Sequence, residues 1–355
     1  MVIQSLDLRH FRNYTHLKAD FSPGINWIYG KNGQGKTNLV EAIYYICNLE
    51  SFRTRKNVHL LQSGHPQALI QAELKRIDVL HLIRIQVTSR GRQVFLDHSV
   101  YNKVSDYILS FLALTFTPEE VVLFRGSPQE RRRFFNRIQA ILEPSYFRTL
   151  QDYAQALSQK NAVLKLQQKE KLPLWNQMLA RHAGIMMQKR KSFTESLNLH
   201  LADLFHALCG RKERLELLYQ PSLVGQEETE HAIQETLEMA TEKELRVGHS
   251  LLGPHRDDFQ LMMDQKPDRE FFSQGEFRIT NLALKMTLNQ LMFRMFKIHP
   301  VLIFDDLFSE LDQTMNSRIM DYFSQLDNQV FITSTIPPER VKPGNTLQIS
   351  QGKAI

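Results

Sequence analysis

The sequence predicts an α/β fold in which both ends of the chain build one mixed sheet flanked by helices, while the middle inserts a helical arm. Three observations carry this expectation. The β-rich run Ile25-Asn26-Trp27-Ile28-Tyr29 stops at Gly30, and after a glycine-rich turn Leu39, Ala42, Ile43, Ile46 and Cys47 recur at helical spacing. Far downstream, Val301-Leu302-Ile303-Phe304 and Val330-Phe331-Ile332 are continuous apolar runs, as strands buried on both faces should be. Between these ends the periodicity is helical over long stretches. The sheet-bearing lobe is therefore expected to be discontinuous, residues 1–113 with 297–355, and residues 114–296 to form a second, helical lobe.

Ile83, Ile85 and Val87 alternate before Ser89-Arg90-Gly91-Arg92, and Val94 and Leu96 alternate after it, which reads as an antiparallel hairpin of the same mixed sheet. Past Pro118 the helices begin. Phe147, Leu150, Ala154, Leu157, Asn161 and Leu164 step by threes and fours, a short a/d seam. Lys171-Leu172-Pro173 interrupts it, and Trp175, Met178, Leu179, His182, Ile185 and Met186 resume the spacing, so the arm reads as a helical hairpin. Core packing is as good an account of such a seam. Glu227 to Arg246, with seven Glu against one Lys and one Arg, reads as an exposed acidic helix or loop without an assigned role.

The chain has 355 residues, 42% hydrophobic and 23% charged, a globular composition that excludes collagenous and wholly disordered chains. Two cysteines, Cys47 and Cys209, exclude a disulfide framework and a cysteine-based zinc module, and fit a reducing, cytoplasmic setting. No apolar run approaches ~18 residues, so no transmembrane helix and no membrane partner are expected. Met1 to Asp20 lacks the apolar core of a signal peptide, so export is not expected. The formal charge of +6 is uneven: Arg125 to Lys191 holds fourteen Lys/Arg and four Asp/Glu, a net +10. Such a segment is either a solvated helical face or a surface for a polyanion.

Gly30-Lys31-Asn32-Gly33-Gln34-Gly35-Lys36-Thr37 fits G-x-x-x-x-G-K-[ST] at every fixed position. The glycines let backbone N–H groups curl around a triphosphate, Lys36 reaches its β/γ-phosphates, the Thr37 hydroxyl ligates Mg²⁺, and the following helix adds its positive end. The motif lies between an apolar strand and a helix, the context it requires. A second magnesium ligand should end a neighbouring buried strand; Asp305 does so, and Asp306 is placed to polarise the attacking water. A plain turn after a strand is the alternative. Lys36, Asp305 and Asp306 are thus the candidate catalytic residues, with ATP and Mg²⁺ as ligands. Thr333-Ser334-Thr335, ending the last apolar strand, suits a polar γ-phosphate sensor or a strand-end cap equally well. His182, His249 and His255 have no metal-ligand spacing.

Ser273-Gln274-Gly275-Glu276 precedes the acidic strand end, and Ser309-Glu310-Leu311-Asp312 follows it. This order resembles ABC-type ATPase heads, in which the serine turn of one copy caps the γ-phosphate held by another. Further runs extend the resemblance: Phe11-Arg12-Asn13-Tyr14, Glu41-Ala42-Ile43-Tyr44-Tyr45, Ser51-Phe52-Arg53-Thr54, Gly126-Ser127-Pro128 with Arg131-Arg132-Arg133-Phe134, and Gly253-Pro254-His255-Arg256-Asp257-Asp258. In order, and over nearly the whole chain, these resemble the RecF family of bacterial recombination mediators.

The resemblance implies an SMC-like ABC ATPase with a short arm and weak, DNA-stimulated hydrolysis. It implies an ATP-dependent homodimer, with Ser273 and Gly275 as the signature acting in trans and Ser309 and Asp312 in the D-loop. It also implies binding to DNA at single-strand gaps and junctions, partnership with RecO and RecR, help in loading RecA, and a role in replication, repair and the SOS response. On this reading Arg131, Arg132, Arg133, Lys189, Arg190 and Lys191 are the DNA-binding candidates. Two positions depart from the family pattern: Glu276, where glutamine is usual, adds charge near a facing γ-phosphate, and Asn136 stands where aspartate is common. The alternatives are a nucleotide-bound scaffold without turnover and a transport-type ABC subunit. The second lacks the full Leu-Ser-Gly-Gly-Gln run and leaves the basic arm without a role.

Overall fold

The computed structural model describes residues 1–102, 107, 110–118, 123–223, 229–267, 274–338 and 344–355. The chain divides into two compact units, Met1–Glu120 with Ala207–Gly210 and Arg278–Ile355, and Val121–His206 with Arg211–Phe277. In the first unit lie strands β1 (Val2–Phe11), β2 (Tyr14–Asp20), β3 (Ile25–Tyr29), β4 (Gln67–Arg76), β5 (Val79–Thr88), β6 (Gly91–Leu96), β7 (Ser99–Val100) and β8 (Ala113–Phe116). The second unit holds β9 (Leu215–Gln220), β10 (Asp258–Met263) and β11 (Lys266–Pro267). The first unit resumes with β12 (Val301–Phe304), β13 (Val330–Ser334), β14 (Asn345–Ser350) and β15 (Lys353–Ala354).

The first unit contains two sheets rather than the single one expected. β2-β1-β4-β5-β6-β7 is antiparallel, whereas β15-β14-β3-β13-β12-β8 is parallel apart from its β15 edge. The pattern of side chains explains the separation. The β5–β6 hairpin forms as predicted, with Ile83, Ile85 and Val87 buried and Arg84 between them exposed, the alternation of a strand with one face on the core. The run in β3 is buried on both faces, as are β12 and β13.

Helix α1 (Lys36–Asn48) belongs to one hydrophobic cluster with residues of both sheets, including Ile3, Leu6 and Ile70 of the antiparallel sheet and Ile28, Ile303 and Phe331 of the parallel one. It is accordingly buried on nearly every side, not along a single stripe. The unit boundaries also move from those read off the sequence. Residues 114–116 fall in the first unit because β8 pairs with β12, and the mostly buried stretch from Arg278 onward falls there too.

The second unit is built from α2 (Pro128–Leu142), α3 (Pro144–Lys165), most of α4 (Leu172–Cys209), α5 (Glu230–Met239), α6 (Thr241–Val247) and the sheet β11-β10-β9. The last helices are α7 (Gln274–Phe296) and α8 (Gln313–Ser324). Helix α2 opens with a capping box between Ser127 and Glu130, with Pro128 in its first turn. The hairpin of α3 and α4 is present, but the buried stripe of α3 is Tyr146, Thr149, Tyr153, Ala156, Lys160 and Val163–Leu164, one residue from the predicted seam, and Phe147 is 47% exposed. The predicted seam follows apolar residues, whereas the helix buries polar ones that have partners: Tyr153 meets His255, and Lys160 Nζ lies 2.7 Å from Glu244.

Candidate nucleotide-phosphate site

Strand β3 leads into the glycine loop, and the three loop glycines adopt positive φ: Gly30 151°, Gly33 78° and Gly35 116°. At Gly30 a Cβ would lie 2.2 Å from the Ile349 carbonyl oxygen, so only glycine lets the loop leave the sheet beside β14. The loop is held from both flanks. The Tyr14 hydroxyl donates to the Gly35 carbonyl at 2.9 Å, and the Gly352 N–H donates to the Gln34 carbonyl at 3.2 Å. Lys36 Nζ donates to the carbonyls of Gly30 (2.6 Å) and Lys31 (3.0 Å), which sets the ammonium across the mouth of the loop. Burial lowers its pKa, and the charges of Asp305 and Asp306 oppose that shift.

Asp305 follows the end of β12. One strand, β13, lies between β12 and β3, and it brings Thr333 beside Asp305. Thr333 of β13 donates its hydroxyl to Asp305 Oδ1 at 2.6 Å, and Thr37 donates to the same oxygen at 3.1 Å. The Asp306 N–H donates to Thr333 Oγ1 at 3.0 Å, and Asp306 itself is left-handed, φ 52°. Arg278 braces this turn through the carbonyl of Asp306 at 3.2 Å. Magnesium takes oxygens at ~2.1 Å near right angles, which puts neighbouring ligand atoms about 3 Å apart, so the Thr37–Asp305 spacing fits adjacent magnesium ligands. Asn32, Gly33, Gly35, Lys36, Asp305 and Thr333 line a cleft of about 410 Å³.

The contacts that brace the loop from behind were not legible as such. Glu41 of α1 has a side chain with no exposed surface, and its carboxylate accepts from Arg12 Nε (2.8 Å) and Nη2 (2.6 Å) and from the Ser51 hydroxyl (2.5 Å). Arg53 approaches the same carboxylate at 3.5 Å and donates to Asn38 Oδ1 at 2.8 Å. Arg12 and Asn13 are the two loop residues of the β1–β2 hairpin, Arg12 with φ 54°, and Asn13 contacts both Asn38 and the Gln34 carbonyl. Three of the runs quoted for the family resemblance thus converge on one helix. The only signal in the sequence was their composition.

Two of the proposed DNA contacts require correction. Arg131 is 2% exposed and forms a two-pronged ion pair with Asp258 (2.7 Å each), and Arg190 is 1% exposed and donates to Asp257 Oδ2 at 2.5 Å. Both charges are turned inward and neutralised, so neither is available to a phosphate. Arg132 is half-buried and donates to the Asp257 carbonyl at 2.6 Å, and Lys189 pairs with Glu143. Arg133 and Lys191 are exposed. Asn136 accepts from Tyr146 (2.6 Å) and Arg190 (3.0 Å), an uncharged member of this network.

Ser273 lies outside the described residues. Gly275 falls in the first turn of α7, and Glu276 forms an ion pair with Arg211, which also holds Glu213 at 2.6 Å, so its charge is matched within its own unit. Ser309 is exposed and donates to the Asp306 carbonyl at 3.2 Å, and Asp312 caps α8 by accepting from Met315 N–H at 2.8 Å. No metal-binding group of His, Cys, Asp and Glu occurs among the described residues.

His255 has a structural task. Its Nδ1 lies 2.7 Å from the Tyr153 hydroxyl and its Nε2 3.3 Å from the Ser250 carbonyl. A neutral ring with the proton on Nε2 satisfies both, and burial pushes its pKa down to about 4. Because the unfolded chain binds this proton more tightly, stability is full above pH 6.5 and falls as the pH drops toward 4, by about 3 kcal/mol at most. Urea titrations at pH 7.5 and pH 4.5 should show this loss, and a His255→Asn variant should show less of it. Equal pH slopes in the two proteins would remove His255 as the cause.

A strand–glycine loop–helix with an acid and two hydroxyls beside it defines the class: a P-loop nucleotide-binding head. Residues 2–348 match the RecF/RecN/SMC N terminal domain. Over 363 aligned residues, all of both chains, the sequence is 32% identical to the DNA replication and repair protein RecF of Geotalea uraniireducens (strain Rf4). The fold is similar to a solved structure of the recombination mediator protein RecF-ATP in the RecFOR pathway, with a TM-score of 0.87 and 25% identity over 99% of this chain and 96% of that one. An SMC head bound to the C-winged helix domain of ScpA, at 17% identity, shares the fold with a TM-score of 0.62 over 100% of this chain and 98% of that one. The chain belongs to the RecF family.

Proposed function

We propose that the chain is an ATP-switched DNA clamp of recombinational repair and replication. The observation that carries this reading is the cluster in which the hydroxyls of Thr37 and Thr333 share Asp305 Oδ1 within the cleft that Lys36 lines. Lys36 binds the β/γ-phosphates of ATP, and the loop glycines let backbone N–H groups follow the triphosphate. Thr37 and Asp305 would hold Mg²⁺, which would supply positive charge to offset that on the transferred phosphoryl group. Asp306 orients the attacking water and takes its proton, and Thr333 keeps the Asp305 carboxylate in position. Two copies associate around ATP, Ser273 and Gly275 of each facing the nucleotide of the other, with Ser309 and Asp312 between them.

The dimer holds DNA at gaps or junctions, and slow, DNA-stimulated hydrolysis resets it. In the cytoplasm it acts with RecO and RecR upstream of RecA loading and the SOS response. Membership of the RecF family supports the pathway, and the named relative is called a DNA replication and repair protein.

Retention of a gapped duplex on immobilised protein, with and without ATP at fixed salt, tests this reading. Retention and dimerisation should both require ATP in the wild type and be lost in Lys36→Met. A Lys36→Met protein that still dimerises and retains DNA in response to ATP would overturn it.

A further inference from the structure

We propose that a basic hollow walled by Arg12, Arg53, Thr54, Arg55, Lys56 and His59 is a binding site for backbone phosphates of DNA, beside the nucleotide cleft. The hollow measures about 420 Å³, room for a phosphodiester with part of its flanking sugars. Its lining is four cations, a hydroxyl and an imidazole, with no carboxylate. Glu41, behind it, faces inward and is occupied by Arg12, Ser51 and Arg53. Arg55 and Lys56 are exposed, and among the described residues neither has an ion-pair partner, so their charges are available to an anion in a way that those of Arg131 and Arg190 are not.

The loop is also preorganised. Ser51 Oγ accepts from the N–H groups of Arg53 (2.9 Å) and Thr54 (3.0 Å), Thr54 Oγ1 accepts from Lys56 N–H (3.1 Å), and Thr54 Oγ1 lies 3.1 Å from His59 Nδ1. The cations therefore project from a fixed backbone, which reduces the entropy lost when an anion is held. Apart from the His59 imidazole no aromatic ring lines the hollow, so a base has nothing to stack on. Phosphate contacts of this kind position a strand without reading its sequence. The net +10 of the arm pointed elsewhere because a charge count cannot separate buried, paired cations from free ones.

This rests on the proposed DNA-binding function, and the test separates the two. Binding of a fluorescein-labelled gapped duplex is measured across a salt series with ATP present, for the wild type, Arg55→Glu/Lys56→Glu and Arg133→Glu/Lys191→Glu. The Arg55/Lys56 pair should bind at least about tenfold more weakly, and its slope of log K against log salt should shrink by about 2, near 0.9 for each phosphate that is no longer neutralised. Its melting temperature and its affinity for a fluorescent ATP analogue should match the wild type, and Arg55→Ala/Lys56→Ala should give a smaller shift of the same sign. Wild-type DNA affinity and slope in Arg55→Glu/Lys56→Glu overturn the hollow alone, as does a loss confined to ATP affinity, which would make it a nucleotide subsite. A wild-type protein that binds no DNA in any nucleotide state overturns the clamp itself.

Discussion

Replacing Asp257 with alanine should lower the melting temperature of the helical unit by roughly 6–20 °C. The Asp257 carboxylate has no exposed surface; it accepts from Arg190 Nη1 (2.5 Å), the Tyr219 hydroxyl and the Ser222 N–H (2.8 Å). Removing it leaves the buried Arg190 guanidinium without its counter-charge and the Ser222 N–H without its acceptor. A broken buried pair costs about 3–5 kcal/mol, a large fraction of the ~5–15 kcal/mol that holds a domain folded. Asp257→Asn keeps the volume and one acceptor oxygen but not the charge, and should fall between alanine and wild type. Differential scanning calorimetry reads both. A melting temperature within about 2 °C of wild type for the alanine variant would mean that Arg190 finds another partner and that the network is not a stability determinant. Reversing Arg131, Arg132 and Lys189 together would disrupt the pairs with Asp258, the Asp257 carbonyl and Glu143, so any lost DNA affinity would report unfolding. Arg133 and Lys191 are the residues through which the arm can be tested.

The parts of the site that are contiguous in sequence were readable, because their physics is local. A strand, a turn requiring positive φ and a helix N-terminus must follow one another within a few residues, and Gly30 to Thr37 does that. Asp305 was readable for the same reason, as an acid ending an apolar run. The residues that position these groups were not. Glu41 meets Arg12 across 29 positions, and Thr333 reaches Asp305 because β13 inserts between β3 and β12, a fact of strand order that no window of sequence contains. The Tyr14 hydroxyl on the Gly35 carbonyl is another case: from sequence, tyrosine in a strand is simply a good strand former. The predicted seam of α3 is one residue off because it follows apolar spacing, whereas Tyr146, Tyr153 and Lys160 are buried with partners in the core. Charge counting failed at Arg131 and Arg190 for a related reason: it records the sign of a side chain and nothing of where it ends.

Asp305→Ala should reduce ATP turnover on the order of a hundredfold or more while leaving the sheet intact. Both Thr37 and Thr333 donate to the Asp305 carboxylate, so the loop after β3, the end of β13 and the end of β12 converge on this side chain. Asp305→Asn separates the loss of charge from the loss of the acceptor oxygen. Its amide oxygen can still accept from both threonines, so the local fold should persist, but it offers magnesium no negative charge. The expected result for the asparagine variant is a melting curve close to wild type, ATP affinity in EDTA close to wild type, and loss of both hydrolysis and the tightening of ATP binding that magnesium gives. The measurements are isothermal titration with and without magnesium, and phosphate release at saturating ATP. If Asp305→Asn keeps the wild-type magnesium dependence, the metal is held elsewhere and the hydroxyl pair around Asp305 is a strand-end cap, the alternative that Thr333-Ser334-Thr335 left open in the sequence.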